Sequence, residues 1–218
     1  MKYDRIIAYG CSFTQGIGLK DMAGQHLSTP SEFAWPKLVA SQLGVPYENR
    51  GQGGWSNKMI AHSMMHHLPE TSIDADLVIA MWTCTDRHVV IRNNIEPPSS
   101  LFHLGIWQAP CPDQSTEDWS SEHPAVEAYF RHLYTPYDSQ FQNLVMIAAV
   151  NRAYQQAGIR LINVCTPVFD EVDLDQFPWF TDRPKLIFDD HLTLGTAHDG
   201  HPNEASHREF AKRILTIL

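Results

Sequence analysis

Short apolar runs that alternate with helix-period segments constrain this chain more than any other feature of its sequence. The run Asp76–Trp82 (DLVIAMW) is apolar after its first residue, which is typical of a strand buried on both faces. Further strands are predicted at 5–10, 46–50, 159–165 and 186–189. Helices are predicted at 33–43, 56–68, 139–157 and 203–218. Strands joined by single helices form βαβ units, so we expect an α/β fold with a mostly parallel, five-stranded sheet and helices on both faces.

The segment 93–136 departs from this alternation. It is rich in proline and aromatic residues and shows no clear period, although 125–133 could form a short helix. The length of 218 residues predicts one domain, 1–218, that carries this segment as an insertion. Long irregular segments inside a domain are often lids or substrate loops. The alternative is a surface excursion that packs its own aromatic rings.

Composition excludes several function classes. Lysine and arginine number 16 against 25 aspartates and glutamates, so the formal net charge is −9. Such a chain without a basic run is a poor binder of nucleic acids and anionic membranes. No apolar stretch approaches the roughly 20 residues of a membrane-spanning helix. We therefore predict neither a nucleic-acid partner nor a membrane partner.

The N-terminus and the cysteines indicate a cytoplasmic protein. Segment 1–7 has the pattern of a first strand rather than of a secretory signal. The 4 cysteines form no Cys-x-x-Cys pair, which argues against a disulfide scaffold or a zinc knuckle. The 12 histidines raise the alternative of a metal site, but none stands in a His-Glu-x-x-His or comparable spacing. The candidate metal ligands are His66, His67, His191, His198, Asp189 and Asp190. We predict no metal and no cofactor.

Ser12 directly follows the first predicted strand, in the sequence Gly-Cys-Ser-Phe-Thr. A serine on a sharp strand-to-helix turn presents its hydroxyl at the edge of the sheet, and Gly10 permits such a turn. A serine hydroxyl needs a base to become a nucleophile. The plain alternative is that Ser12 caps the next helix. Cys11 is a second possible nucleophile, although a cysteine at a strand end is usually buried and inert.

A base is available before the last helix, in Asp-Gly-His-Pro-Asn. Pro202 favours a position in the first helical turn, which places His201 at the helix entrance. Asp199 can hold one ring nitrogen of His201 and leave the other free to take a proton. The alternative is a loop aspartate and a capping histidine.

Two further segments follow strands two and three. Gly51, Gly53 and Gly54 form a backbone that can approach a ligand closely, but the segment lacks the spacing of a Walker loop. Thr83 and Thr85 place small polar side chains after strand three. Both segments are positioned to offer donors to a developing oxyanion.

Taken in chain order, Gly-Cys-Ser-Phe-Thr, Asn-x-Gly-x-x-Gly, Thr-x-Thr-Asp and Asp-Gly-His-Pro resemble the motifs of the SGNH (GDSL-type) hydrolase superfamily. This resemblance implies a flavodoxin-like, three-layer α/β/α sandwich that hydrolyses esters without a metal. It implies Ser12 as nucleophile, His201 as general base and Asp199 as its orienting carboxylate. It also implies an oxyanion hole formed by Ser12 and Gly54.

The chain departs from the family pattern in three places. Cys11 replaces the usual acidic residue, Thr85 replaces an asparagine donor, and the Asp-Gly-His spacing is one residue shorter than usual. The hydroxyl of Thr85 or Thr83 could replace the missing donor. Loss of one oxyanion donor costs about 10²–10³ in rate.

The expected activity is hydrolysis of short acyl esters, with acetyl on a carbohydrate as the expected substrate. Three tryptophans are candidate substrate-binding residues: Trp55, Trp82 and Trp107. Core packing explains tryptophans near the site equally well. The alternatives are a non-catalytic binding or structural protein that retains the fold, and an acyltransferase that uses the same triad.

Overall fold

The computed structural model describes residues 3–22, 29–73, 75–91, 101–104, 128, 131–167 and 173–218. The strands are β1 Arg5–Gly10, β2 Tyr47–Gly51, β3 Asp76–Trp82, β4 His88–Ile91, β5 Leu101–Leu104, β6 Arg160–Cys165 and β7 Leu186–Ile187. The helices are α1 Ser12–Gln15, α2 Trp35–Leu43, α3 Asn57–His67, α4 Pro136–Gln156, α5 His191–Leu194 and α6 Glu204–Thr216. None of the helices in these ranges is long and apolar enough to cross a membrane.

Five strands form one parallel sheet in the order β2-β1-β3-β6-β7. The registers pair Gly10 with Gly51 and Trp82 with Cys165, so the carboxyl ends of β1, β2, β3 and β6 share one edge. Strand order reverses around β1, because the chain moves outward to β2 and then returns to β3. The predicted α/β class, the five parallel strands and the flavodoxin-like order are confirmed.

The two faces of the sheet bury alternate residues of each strand. Ile7 and Tyr9 of β1 pack with α3 and α4, whereas Ile6 and Ala8 pack with α2 and α6. Side chains alternate along a strand, so a continuous apolar run is needed to fill both cores. This explains why all seven residues of β3 are buried.

The helix boundaries follow capping residues. Ser56 caps α3 by accepting a hydrogen bond from the Met59 N–H, as its position in the sequence predicts. The longest helix begins three residues before the predicted start, since Thr135 caps it and Pro136 occupies its first position. The last helix begins at Glu204 because the side chain of Asn203 accepts from the Ser206 N–H. The prediction that Pro202 lies in the first turn is therefore wrong: it precedes the N-cap and bridges to Thr196.

Part of the insertion forms regular structure. Strands β4 and β5 pair antiparallel as a separate two-stranded sheet. The prediction of an irregular segment from residue 93 to 136 is therefore wrong at β5, whose pairing with β4 involves residues outside the insertion. The sequence did not reveal this ladder because each strand has only four residues.

Candidate active site

Three loops that carry the predicted site residues meet at the carboxyl edge of the sheet. Ser12 follows β1, the glycine turn follows β2, and Thr85 follows β3. In open α/β sheets, ligands bind outside the carboxyl ends of the strands where the strand order reverses. The order β2-β1-β3 places that point beside Ser12.

Ser12 is the first residue of α1 and is almost fully buried, with 4% of its surface exposed. The N-cap is Cys11, so Ser12 does not cap the helix. The Ser12 carbonyl accepts hydrogen bonds from the N–H groups of Gly16 and Ile17, while its own N–H has no backbone acceptor among the described residues. A Cβ at residue 10 would lie 2.0 Å from Oγ1 of Thr14, so the turn from β1 into α1 requires glycine at this position.

Asp199 and His201 lie together on the loop before α6. Oδ2 of Asp199 lies 3.2 Å from Nδ1 of His201, and Oδ1 accepts from the His201 backbone N–H at 3.1 Å. Both carboxylate oxygens of Asp199 therefore face His201. Because Asn203 caps α6, the alternative of a capping histidine does not fit the structure.

The electrostatic surroundings keep His201 neutral near pH 7. Burial lowers the pKa of His201 below its usual 6.5, while the Asp199 carboxylate raises it and the Arg87 charge lowers it. A neutral imidazole can accept a proton, and Asp199 stabilises the cation that then forms. This combination suits a general base.

Phe13 connects the serine loop to the histidine loop. Its ring packs edge-on against His201, with ring centroids 5.9 Å apart. Similar edge contacts join Phe13 to Phe188 and to His191. Since Phe13 directly follows Ser12, these contacts hold the imidazole on the side of the sheet edge where the serine lies.

Side-chain hydrogen bonds shape the glycine turn after β2. The buried Gln15 accepts from the Gly53 N–H at 2.6 Å, and Asn49 accepts from the Gly51 N–H at 3.0 Å. Gly54 is exposed, has a positive φ of 78°, and its N–H has no acceptor in the described part of the chain. The turn thus leaves one N–H group open toward solvent, as an oxyanion donor requires.

The loop after β3 is anchored at its start and at Thr85. Asn57 bonds to both the N–H and the carbonyl of Thr83, at 2.8 and 2.9 Å. The carbonyl of Thr85 accepts from Ser139 and from Asn143, both on α4. The hydroxyl of Thr83 is buried and faces Sγ of Cys84, so Thr85 is the better placed of the two threonines to face a substrate.

The three predicted tryptophans lie in different environments. Trp82 is fully buried, and its indole N–H donates to Asn163 at 2.9 Å. A role of Trp82 in substrate binding therefore does not fit its position in the core. Trp55 is half-buried beside Met59 and keeps part of its ring accessible. Trp107 lies outside the described residues, as does most of the predicted lid.

The end of the insertion lies near the loop after β3. Burial raises the pKa of Tyr134, and the charges of Asp86 and Cys84 raise it further. Tyr134 is therefore within electrostatic range of Asp86 and Cys84, in the loop that contains Thr85. That the whole insertion covers the site stays a prediction.

Three residues that the sequence analysis did not identify position the site. A Cβ at Gly18 would lie 2.5 Å from Oδ1 of Asp199, so the carboxylate packs against a bare backbone there. Gln15 holds the glycine turn, and Arg87 donates to the Trp55 carbonyl at 3.3 Å. Helical spacing from Ser12 could have indicated Gln15, but no pattern in the sequence links Gly18 to Asp199.

The described residues offer no metal site, since no group of three or more histidine, cysteine, aspartate or glutamate side chains could hold an ion there. Of the candidate ligands, Asp189 and Asp190 form salt bridges with Arg213. His191 packs against Phe13, and His66 contacts His67 at the end of α3.

Comparisons identify the fold but not a close relative. Neither a family model nor a curated protein matches the sequence. In structure, the chain is similar to a lipolytic protein of the G-D-S-L family from Desulfitobacterium hafniense, with a TM-score of 0.54, 11% identity and 99% of both chains covered. The esterase EstA from Pseudoalteromonas sp. has a TM-score of 0.53 at 10% identity, covering 98% of this chain and 95% of its own.

An acetyl xylan esterase from Butyrivibrio proteoclasticus is also similar, with a TM-score of 0.52 and 12% identity, covering 100% of this chain and 64% of its own. These likenesses confirm the fold that the motifs imply. The roles of individual residues are inferred from the geometry of this chain.

Proposed function

We propose that this chain, which has the fold of the GDSL-type lipolytic proteins and esterases, is a serine esterase that hydrolyses short acyl esters through an acyl-enzyme on Ser12. The observation that carries the proposal is the His201–Asp199 pair at the edge of the sheet, joined to the Ser12 loop through Phe13. A serine, a neutral histidine and an orienting carboxylate are the three groups of a catalytic triad for such chemistry.

In the first step, His201 takes the proton of Ser12 as the hydroxyl oxygen attacks the ester carbonyl. Charge develops on the carbonyl oxygen, where the N–H groups of Ser12 and Gly54 are available as donors. The hydroxyl of Thr85 is the proposed third donor. His201 then gives its proton to the leaving alcohol as the acyl–oxygen bond breaks.

In the second step, water attacks the acyl group on Ser12. His201 removes a proton from that water and returns it to the serine oxygen when the carboxylic acid departs. Asp199 holds the imidazole in place and stabilises its cationic form in both steps. No step requires a metal or a cofactor.

The proposed substrate is an acetyl ester of a carbohydrate. An acetyl xylan esterase is among the proteins of similar fold, and this motivates the choice of substrate class. The partly accessible Trp55 beside the glycine turn is a suitable surface for a sugar ring. Trp107 and the insertion are proposed as further contacts.

The test compares p-nitrophenyl acetate and p-nitrophenyl octanoate as substrates for the wild type and for Ser12→Ala. We expect faster hydrolysis of the acetate, abolished in the variant, together with labelling of the wild type alone by a fluorophosphonate. Turnover that depends on an added alcohol would support an acyltransferase instead. Background rates in both proteins without labelling would contradict the proposal and favour a non-catalytic binding protein.

A further inference from the structure

Arg87 brings a positive charge to the active-site edge that the catalytic steps do not use. It stands two residues after Thr85 and is half-buried. Its Nη1 donates to the carbonyl of Trp55 at 3.3 Å, in the turn that contains Gly54. Arg87 therefore lies between two of the loops that form the proposed site.

The charge of Arg87 also acts on the loop before α6, which carries His201. It lowers the pKa of His201, which shows that the guanidinium and the imidazole are close enough to interact. His201 is the group that protonates the leaving alcohol. The guanidinium is therefore within electrostatic range of the group that protonates the leaving alcohol.

Arg87 forms no salt bridge with an acidic side chain among the described residues. The neighbouring Asp86 interacts with the thiol of Cys84 instead. A guanidinium has five N–H donors, and one hydrogen bond to a carbonyl leaves most of them available. In a chain with a net charge of −9, an arginine without an ion pair at a binding edge is a specific feature.

We propose that Arg87 forms a subsite for an acidic group on the alcohol half of the substrate, an inference that rests on the proposed esterase function. A short acyl group such as acetyl has no room for a charge, so the acid must belong to the alcohol. The substrate class is then an acyl ester of a hydroxy acid, such as an acetylated acidic sugar. Arginine binds carboxylates with paired, charge-assisted hydrogen bonds.

The experiment compares two acetyl esters that differ only in charge, 3-acetoxybenzoate and 3-acetoxybenzamide. We expect the wild type to prefer the anion by about tenfold in kcat/KM, the effect of one charge-assisted interaction. Arg87→Gln should remove this preference, Arg87→Lys should retain part of it, and added salt should weaken it. Arg152→Gln, which removes the same charge from the exposed surface of α4, should leave the preference unchanged.

A binding measurement separates this inference from the esterase function. The two products, 3-hydroxybenzoate and 3-hydroxybenzamide, are titrated into Ser12→Ala. The same titrations are made with the double variant that also carries Arg87→Gln. Selective binding of the anion that disappears with Arg87→Gln supports the subsite even when no ester is hydrolysed. If Arg87→Gln alters neither the kinetic preference nor the binding of the anion, the subsite does not exist. Absence of both preference and anion binding in the wild type would also overturn it.

Discussion

The two edges of the central sheet use their polar residues in opposite ways. At the amino edge, Arg5 at the start of β1 donates to both carboxylate oxygens of Asp76 at the start of β3, at 3.1 and 2.7 Å. The Ser72 N–H bonds to the same carboxylate, and Glu48 lies 3.6 Å from Arg5. The strong donors and acceptors of this edge are thus paired with one another.

The carboxyl edge leaves comparable groups open. The N–H groups of Ser12 and Gly54 lack backbone acceptors, and Arg87 lacks an acidic partner, among the described residues. His201 is paired with Asp199 through Nδ1, and its second ring nitrogen has no hydrogen-bond partner among the described residues. The contrast shows that one edge stabilises the sheet, whereas the other retains hydrogen-bonding capacity for a ligand.

The largest expected effect tests the carboxyl edge directly. His201→Gln removes the proposed base, so kcat should fall by about 10⁴-fold while the free energy of unfolding stays close to that of the wild type. His198→Gln is the matched control, because His198 is exposed on the same loop. Steady-state kinetics and urea unfolding measure the two quantities. Comparable losses of activity in both variants would remove His201 from the mechanism.

Gly18→Ala tests whether the position of Asp199 matters. The added Cβ would lie 2.5 Å from Oδ1 of Asp199, so the carboxylate must move away from its present position beside His201. We expect kcat/KM to fall by about 10- to 100-fold, since a misoriented base is a poor one. Gly44→Ala has a similar positive φ but nothing within 4 Å, so it should cost stability alone. Equal kinetics in the two variants would argue against the role of Asp199.

Asp76→Asn tests the amino edge. The side chain of Asp76 is 3% exposed and hydrogen-bonded to the charged Arg5, so its neutralisation should lower the free energy of unfolding by about 2 kcal/mol. The value of kcat/KM should not change, because the pair lies at the opposite edge of the sheet from Ser12. Urea unfolding and ester hydrolysis at pH 7 check both statements. A large loss of activity in the folded variant would mean that the two edges are coupled.

The smallest expected effect is a shift in pH dependence. Burial lowers the pKa of His201, so the acid limb of kcat/KM should lie below pH 6.5, with activity lost as the imidazole is protonated. Asp199 raises this pKa and Arg87 lowers it, and the buried His207 also interacts electrostatically with His201. Asp199→Asn should therefore move the limb to lower pH and Arg87→Gln to higher pH. Identical midpoints in all three proteins would contradict these charge interactions.

Periodicity and capping residues predicted the elements of the fold well. The bounds of β1 and β3 agree with the prediction, and Ser56 caps α3 as expected. Such local signals depend on residues a few positions apart. The prediction that Pro202 lies in the first helical turn is wrong because Asn203 is the N-cap, so the helix begins after it.

The contacts that position the site could not be predicted from the sequence. His207 illustrates this: it is buried, its Nδ1 accepts from the Trp35 N–H at 3.1 Å, and burial lowers its pKa to about 3. The two residues are 172 positions apart in the sequence, which gives no sign of the bond. Gln15 with Gly53 and Arg87 with Trp55 are polar pairs of the same kind.

The sequence by itself determined the strands, the helices and the residue types available for catalysis, because apolar periodicity and capping act within a few residues along the chain. It also placed Ser12 and Thr85 after neighbouring strands, since parallel strands end at one edge. Only the tertiary structure decided that Trp82 is a core residue, that Gly18 makes space for Asp199, and that Arg87 bonds to the Trp55 carbonyl. These outcomes depend on contacts between segments that are distant in the sequence. Local sequence patterns do not predict such contacts.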